Sequence, residues 1–124
     1  MAKTILIVDD SATMLMSVRS TLEMSGFHVE SASDGLQALG LIKAGATPDM
    51  IITDIHMPNM DGMSFIKAVR ALPGFGFLPI LTLTTESDSS KRESARELGA
   101  TGWLVKPVHG PDLIQVIKQL LPGA

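Results

Sequence analysis

Residues 50–62, with the sequence MIITDIHMPNMDG, join a short apolar run to a carboxylate and then to a loop that contains proline and glycine. A run this short, rich in isoleucine and followed by turn residues, predicts a β-strand that is covered on both faces. Asp54 would then stand at the carboxyl end of that strand, which is the end where open α/β sheets bind ligands. The segment therefore predicts a functional site at Asp54, provided that polar groups from other strands reach the same edge.

The composition fits one globular domain that covers residues 1–124. The chain has 45% hydrophobic residues, 19% charged residues and no cysteine, so neither disorder nor a disulfide framework is expected. The apolar run at residues 5–8 is followed at once by two aspartates, and it is too short for a signal peptide or a membrane span. We expect a cytoplasmic protein with no membrane attachment.

The charge pattern argues against binding of nucleic acid. The formal net charge is -3, and the most basic short stretch, Lys91-Arg92, is followed directly by Glu93. Proteins that bind nucleic acids through the phosphates usually carry clustered lysine and arginine. We therefore do not expect DNA or RNA as a partner.

Turn residues and helical periodicity divide the chain into alternating strands and helices. The second strand is more polar than the first, so it is expected near an edge of the sheet. In the second helix Leu36, Leu39 and Ile42 are expected to face inward, whereas the fourth helix offers only Ala95 and Leu98 to the core and should be the most weakly packed. The predicted strands are residues 5–8, 27–32, 50–53, 80–83 and 103–105. The predicted helix starts are Ser11, Asp34, Asp61, Ser87 or Asp88, and Asp112.

The alternation predicts an α/β fold with a doubly wound, five-stranded parallel sheet and five helices. In a parallel sheet the carboxyl ends of all strands lie at one edge. Asp9 and Asp10 follow the first strand, Asp54 the third, Thr84 ends the fourth and Lys106 follows the fifth. Each of these residues alone fits a turn, a helix cap or an ordinary surface position. Their convergence on one edge indicates a site.

The carboxylates at this edge indicate a divalent cation. Clustered carboxylates repel one another, and a hard cation that prefers oxygen ligands relieves the repulsion, with Mg²⁺ as the foremost candidate. Zinc is not expected, because no second histidine stands at ligand spacing from His56.

Four motifs resemble the signatures of the receiver domain of two-component response regulators. They are VDDS at residues 8–11, TDIHMPNMDG at residues 53–62, LT at residues 83–84 and GWLVKP at residues 102–107. The resemblance covers essentially the whole chain in the order and spacing of the family, and it is strongest to the single-domain chemotaxis (CheY-like) regulators. It implies the flavodoxin-like receiver fold.

The resemblance implies that Asp54 accepts a phosphoryl group from a histidine kinase. Thr84 would donate a hydrogen bond to that group, and Lys106 would pair with it. The side chains of His56 and Glu86 would flank the phosphoryl group and influence its lifetime.

The resemblance also implies a Mg²⁺ site formed by Asp9, Asp10, Asp54 and the backbone carbonyl of His56. These ligands are the same carboxylates that the strand ends bring to one edge, together with one carbonyl from the loop that follows Asp54.

A switch residue is implied at Trp103, which stands where the family usually has a tyrosine or phenylalanine that moves inward when Thr84 engages the phosphoryl group. Plain packing explains a single tryptophan on a strand equally well. Thr85 departs from the small residue that is common at its position in the family. The family pattern also implies a cis peptide bond between Lys106 and Pro107.

These features predict a phosphorylation-driven switch that catalyses only its own phosphotransfer and dephosphorylation and is not otherwise an enzyme. Its partners would be a chemotaxis-type sensor histidine kinase and a downstream protein such as a flagellar motor switch protein, and a monomer is expected. A phosphate sink or a phosphorelay intermediate would show the same motifs. A haloacid-dehalogenase-like phosphatase would need a second acid where this chain has His56, and an inert binding module would not need the complete set of polar residues.

Overall fold

The computed structural model describes residues 2–85, 89–121 and 123, and within them five β-strands alternate with five α-helices. The strands are β1 (Thr4–Val8), β2 (His28–Ala32), β3 (Met50–Thr53), β4 (Ile80–Thr84) and β5 (Gly102–Val105). The helices are α1 (Ala12–Met24), α2 (Gly35–Lys43), α3 (Gly62–Arg70), α4 (Ser89–Leu98) and α5 (Gly110–Leu120). No helix in these ranges combines the length and the apolar character needed to cross a lipid bilayer.

The five strands form one parallel sheet in the order β2-β1-β3-β4-β5. The predicted doubly wound α/β fold is therefore confirmed, and the polar strand β2 lies at an edge as expected. Strands β1 and β3 are direct neighbours, with Val8 opposite Thr53 in the register. The residues that follow these two strands consequently leave the sheet side by side.

Alternate residues of the central strands fill two separate cores, one on each face of the sheet. On one face Ile5 and Ile7 pack in a cluster with apolar residues of α1 and α5, among them Leu22 and Ile117. On the other face Leu6 and Val8 pack with residues of α2 and α3, among them Phe65. Burial on both faces explains why the strands read as continuous apolar runs. It also fixes the register, because a slip of one residue would exchange the two faces.

Local capping defines several of the predicted helix starts. Ser11, Asp34 and Asp61 each accept a hydrogen bond from the backbone N–H three residues later, as predicted. The start predicted at Asp112 is wrong, because α5 already begins at Gly110 with Pro111 in its first turn. A proline is readily accommodated there, since the first helical N–H groups have no partner within the helix.

The start predicted for the fourth helix at Ser87 or Asp88 lies outside the described residues. The weak packing predicted for that helix is found, because Ala95 is its one buried residue between Ser89 and Leu98. The inward orientation predicted for Leu36 is wrong. Leu36 is 53% exposed, whereas Leu39 and Ile42 are buried.

Arg70 at the end of α3 joins two loops at the edge of the sheet opposite to the carboxyl ends of the strands. Its guanidinium donates to the carbonyl of Phe75 at 2.8 Å and to the carbonyl of Gly99 at 3.1 and 2.6 Å. Burial lowers the pKa of Arg70 from its usual value. The loop at residues 75–79, for which the sequence suggested no role, is thus attached to the turn that precedes β5, while Phe77 in the same loop is fully exposed.

Gly62 allows a close backbone contact between α3 and the end of β3. Its N–H donates to the carbonyl of Ile55 at 2.8 Å. A Cβ atom at position 62 would collide with the carbonyl oxygen of Asp54 and would lie 2.7 Å from the Cα of Ile55. Because these neighbours are backbone atoms, they can make room only if the loop itself moves.

Gly62→Ala should therefore destabilise the fold, by about 1–3 kcal/mol from overpacking alone. Gly40→Ala is the matched control, since Gly40 is exposed within α2 and no atom lies within 4 Å of a Cβ built there. That control should stabilise the protein by about 0.5–1 kcal/mol through its higher helix propensity. Urea unfolding of both variants measures the two effects, and equal midpoints would contradict the proposed contact.

Candidate functional site

The site begins with two aspartates that leave neighbouring strands at the same level. Asp9 follows β1 and Asp54 follows β3. The N–H of Asp9 donates to the carbonyl of Ala32 at 3.1 Å, and the N–H of Asp54 donates to the carbonyl of Val8 at 3.0 Å. The parallel ladder thus continues one residue past each strand and holds both backbones in place.

Lys106 connects the two aspartates. Its Nζ atom donates to Oδ2 of Asp9 at 2.6 Å and to Oδ2 of Asp54 at 3.1 Å. The three side chains are only 11% or 12% exposed. The lysine is brought to this place by β5, and its own N–H donates to the carbonyl of Thr84 at 2.7 Å.

The protonation of Lys106 is set by two opposing effects. Burial disfavours the charged form, but the hydrogen bond to Asp9 and the charges of Asp54 and Asp9 outweigh burial and raise the pKa of Lys106. The ammonium group is therefore present at neutral pH. It compensates part of the negative charge that the two carboxylates bring to this edge.

The carboxylate of Asp54 is held from a second direction by the loop that follows it. Its Oδ1 atom accepts a hydrogen bond from the N–H of Ile55 at 2.6 Å and a longer one from the N–H of His56 at 3.4 Å. Oδ1 of Asp9 accepts from the N–H of Ser11 at 2.9 Å. Backbone donors and Lys106 together fix the orientation of both carboxylates.

Asp10 adds a third carboxylate to the cluster. Oxygen atoms of Asp9, Asp10 and Asp54 lie within 4.8 Å of one another, and this is the one such group of three acidic or histidine residues in the part of the chain that the structure describes. Asp9 is buried and Asp10 is exposed, so one side of the group remains open to water. Oxygen donors with room for water ligands suit a hard cation such as Mg²⁺, which keeps part of its hydration shell.

The other predicted site residues lie at the ends of β4 and β5. Thr84 is buried at the end of β4, next to the strand that delivers Lys106. Trp103 is half-buried on β5 and lines a cavity of about 100 Å³ together with Arg92 and Arg96 of α4. The Lys106–Pro107 peptide bond is cis.

The structure does not test the roles predicted for two site residues, His56 and Glu86. His56 is exposed in the β3–α3 loop, and its role as a metal ligand through the carbonyl stays a prediction. Glu86 lies outside the described residues. The roles in phosphoryl lifetime that the sequence suggested for both side chains are therefore predictions as well.

Sequence reasoning missed one contact beside the site, between Asn59 and Asp34. The Nδ2 atom of Asn59 donates to Oδ2 of Asp34 at 2.7 Å, across 25 positions of the sequence. Asp34 was recognised as a helix cap, and Pro58-Asn59 is a typical turn dipeptide. Neither the helix cap nor the turn dipeptide indicates that the side chains of Asp34 and Asn59 are in contact.

Comparison with known proteins identifies related sequences along almost the whole chain. Residues 5–118 match the sequence profile of the family described as response regulator receiver domain. The transcriptional regulatory protein PrrA of Mycobacterium tuberculosis is 38% identical over 117 residues, which are 94% of this chain and 49% of that protein. The chain thus spans about half the length of the curated relatives that it matches.

Solved structures show the same architecture. The chemotaxis response regulator CheY4 of Vibrio cholerae is 41% identical, with a TM-score of 0.91 over 98% of this chain and 100% of that chain. The receiver domain of the sensor histidine kinase PA1611 of Pseudomonas aeruginosa is 26% identical, with a TM-score of 0.88 over 97% of this chain and 98% of that chain. The latter structure has a magnesium ion coordinated in its active site cleft.

Mg²⁺ should raise the melting temperature of the protein, because a ligand that binds only the folded state stabilises it by mass action. At ten times its Kd the ion would contribute about 1.4 kcal/mol, or roughly 5 °C for a domain of this size. Thermal unfolding in Mg²⁺ and in chelator measures the shift.

Asp10→Asn should reduce the Mg²⁺-dependent shift, because it removes one anionic ligand while leaving the contacts of Lys106 intact. Asp112→Asn is the matched control at an exposed position on α5 and should keep the full shift. Equal melting curves with and without Mg²⁺ for the wild type would show that the carboxylates do not form a metal site.

Proposed function

Because the chain belongs to the family of response regulator receiver domains of two-component systems, we propose that Asp54 is the residue on which it accepts a phosphoryl group. The observation that carries the proposal is the contact of Lys106 with both Asp9 and Asp54, which gathers one cation and two carboxylates from three strands. The phosphoryl donor of a receiver domain is a histidine kinase. We further propose that residues 1–124 form one receiver domain that acts as a monomer in the cytoplasm.

The proposed reaction transfers a phosphoryl group from a phosphohistidine of the kinase to a carboxylate oxygen of Asp54. The bond between phosphorus and the histidine nitrogen breaks, its electron pair stays on the nitrogen, and a new phosphorus–oxygen bond forms. An ionised carboxylate attacks without a separate base. The N–H of Ile55 and the ammonium of Lys106 hold the nucleophile in one orientation, and Lys106 also offsets charge on the transferred group.

We propose that Mg²⁺ would bind at the same site, where Asp9, Asp10, Asp54 and the backbone carbonyl of His56 would hold it. When bound, the ion supplies positive charge that offsets the charge of the phosphoryl oxygens. The proposal is supported by the oxygen donors of the three carboxylates, which lie within 4.8 Å of one another. The magnesium ion in the related receiver domain of PA1611 supports it further.

We assign the response to phosphorylation to Thr84 and Trp103. The hydroxyl of Thr84 would donate a hydrogen bond to the phosphoryl group. The side chain of Trp103 on β5 would then move inward. The cavity of about 100 Å³ beside Trp103 supports this assignment, because it leaves room for the indole to move. The change is a shift between two conformations that differ in their affinity for the phosphoryl group.

The output that we propose is binding of a flagellar motor switch protein in chemotaxis, with a chemotaxis-type kinase as donor. Its support is the 41% identity to a chemotaxis regulator over nearly the whole chain. Control of transcription is a second candidate, because the curated relatives are transcriptional regulators. A phosphate sink or a phosphorelay intermediate would need no such output.

Acetyl phosphate with Mg²⁺ should add one phosphoryl group to the wild-type protein, because the site itself supplies the nucleophile and the compensating charges. Mass measurement of the intact protein detects the adduct, and hydroxylamine should remove it as expected for an acyl phosphate.

Asp54→Asn should abolish the adduct, whereas Asp112→Asn, at an exposed aspartate in the first turn of α5 that is not part of the carboxylate cluster, should retain it. An adduct that persists in Asp54→Asn would place the phosphoryl group on another residue. Absence of an adduct from any donor would indicate an inert binding module, and rapid release of phosphate from varied esters would indicate a phosphatase.

Beryllofluoride with Mg²⁺, which mimics a phosphorylated aspartate, should change the fluorescence of Trp103, the one tryptophan of the chain. The same addition should strengthen binding of a purified flagellar motor switch protein by tenfold or more, that is by about 1.4 kcal/mol of coupling. Fluorescence and equilibrium binding measure the two effects.

Thr84→Val is the control for the coupling, since it keeps the β-branched shape of the side chain and removes only the hydroxyl donor. It should reduce both responses. Equal affinity of the wild type for the motor switch protein with and without beryllofluoride would contradict the chemotaxis output while leaving the phosphorylation site unaffected.

A further inference from the structure

The loop between β3 and α3, residues 54–61, carries the donors that orient Asp54. Its first end is fixed by the hydrogen bond from Asp54 N–H to Val8, and its last residues are fixed by the bond from Gly62 N–H to the Ile55 carbonyl. Between these two points the chain turns sharply at Asn59. The conformation of the loop therefore depends on what holds this turn.

Asn59 adopts an unusual backbone conformation. Its φ angle is 66°, and no other residue with a side chain has a positive φ in the ranges that the structure describes. The N–H of Met60 donates to the carbonyl of Pro58 at 2.7 Å, which closes a three-residue turn around Asn59. Three-residue turns with positive φ are rare and strained, so a compensating contact is expected.

The compensating contact is the hydrogen bond from the side chain of Asn59 to the carboxylate of Asp34. That carboxylate is itself held in place, because its Oδ1 atom accepts from the N–H of Gln37 at 2.8 Å and caps helix α2. The hydrogen bond from Gln37 and that from Asn59 lower the pKa of Asp34, so the acceptor is ionised at neutral pH. The turn is thus attached to the start of a helix rather than to the sheet.

A second close contact between α2 and the loop is made by Gly35, which has no side chain, and Met60. Gly35 is buried, and a Cβ atom built on it would lie 2.9 Å from Cγ and 3.0 Å from the carbonyl oxygen of Met60. A larger residue at this position would force Met60 to shift, so glycine favours the close approach of α2 to the loop. This approach brings Asp34 within reach of Asn59.

We propose that Asn59 and Asp34 are positioning residues for the phosphorylation site. Their hydrogen bond holds the β3–α3 loop so that the N–H groups of Ile55 and His56 orient Asp54 and the His56 carbonyl can complete the Mg²⁺ site. The inference rests on the proposed function of Asp54. According to this proposal, the contact between α2 and the loop increases the affinity for Mg²⁺. The position of Asp34 in the sequence, far from the aspartates of the cluster, does not suggest such an effect.

Two substitutions remove the hydrogen bond while preserving the local backbone. Asn59→Gly keeps a residue that tolerates positive φ, and Asp34→Ser keeps a good helix cap with a side chain too short to hold the same contact. Each should weaken Mg²⁺ binding by about tenfold, the lower limit typical of groups that orient a metal ligand. The double variant should be no weaker than either single variant, because both remove the same interaction.

Calorimetric titration with Mg²⁺ measures these affinities, and amide hydrogen exchange of the metal-free protein supplies an independent readout. In chelator, the N–H groups of Ile55 and Gly62 should exchange faster in both variants, because their hydrogen bonds depend on the loop conformation. Asp112→Ser is the matched control for Asp34→Ser, since it makes the same substitution in the first turn of α5, and it should leave both measurements unchanged.

The outcomes separate this inference from the proposed function. Wild-type protein that binds no Mg²⁺ and forms no adduct on Asp54 would overturn the proposed function. Equal Mg²⁺ affinities of the wild type and both variants would overturn only the positioning role. The variants could also melt at a lower temperature than the wild type in chelator while their Mg²⁺ affinity and the exchange at Ile55 stay unchanged. That result would show that the contact is purely structural and would also overturn the positioning role.

Discussion

The compensation of buried negative charge by Lys106 is the constraint on which the rest of the site depends. Asp9 and Asp54 meet because β1 and β3 are parallel neighbours, and two carboxylates that are about nine-tenths buried repel each other strongly. Lys106 reaches both of them from β5, with β4 between it and β3. The strand order thus becomes a condition of the charge balance, because another order would leave two anions without their cation. The same negative surplus makes the edge receptive to a divalent ion.

The two cores explain why this edge can hold a defined geometry. Residues of β1 alternate between one cluster with α1 and α5 and another with α2 and α3, so the strand cannot shift without disrupting both. Asp9 and Asp54 stand one position beyond Val8 and Thr53, the buried last residues of β1 and β3. Their backbones are therefore as fixed as the sheet, and only the connecting loops need separate support. Gly62 provides part of that support through its backbone contact with Asp54.

The sheet, its polar edge strand and the three helix caps could be predicted from the sequence because each depends on local pattern: continuous apolar runs, low hydrophobicity in β2, and side chains that cap a nearby N–H. Parallel topology was enough to predict that Asp9, Asp54 and Lys106 lie at one edge, whereas their direct contacts depend also on the order of the strands. Leu36 was placed wrongly, because helical spacing alone does not show which residues in the first turn of a helix the rest of the fold covers. Asn59 and Asp34 are 25 residues apart, and their contact depends on how α2 packs against the loop.

Helix α4 has a thermodynamic consequence of its own. With Ala95 as its one buried residue between Ser89 and Leu98, it gains little free energy from apolar burial compared with α3 or α5. Segments with few buried apolar contacts open locally at a small fraction of the free energy of global unfolding. We therefore expect an uneven conformational ensemble, in which α4 opens locally more readily than β1 and β3, whose residues are nearly all buried. A coupling of a few kcal/mol at one end of the sheet is enough to redistribute such an ensemble.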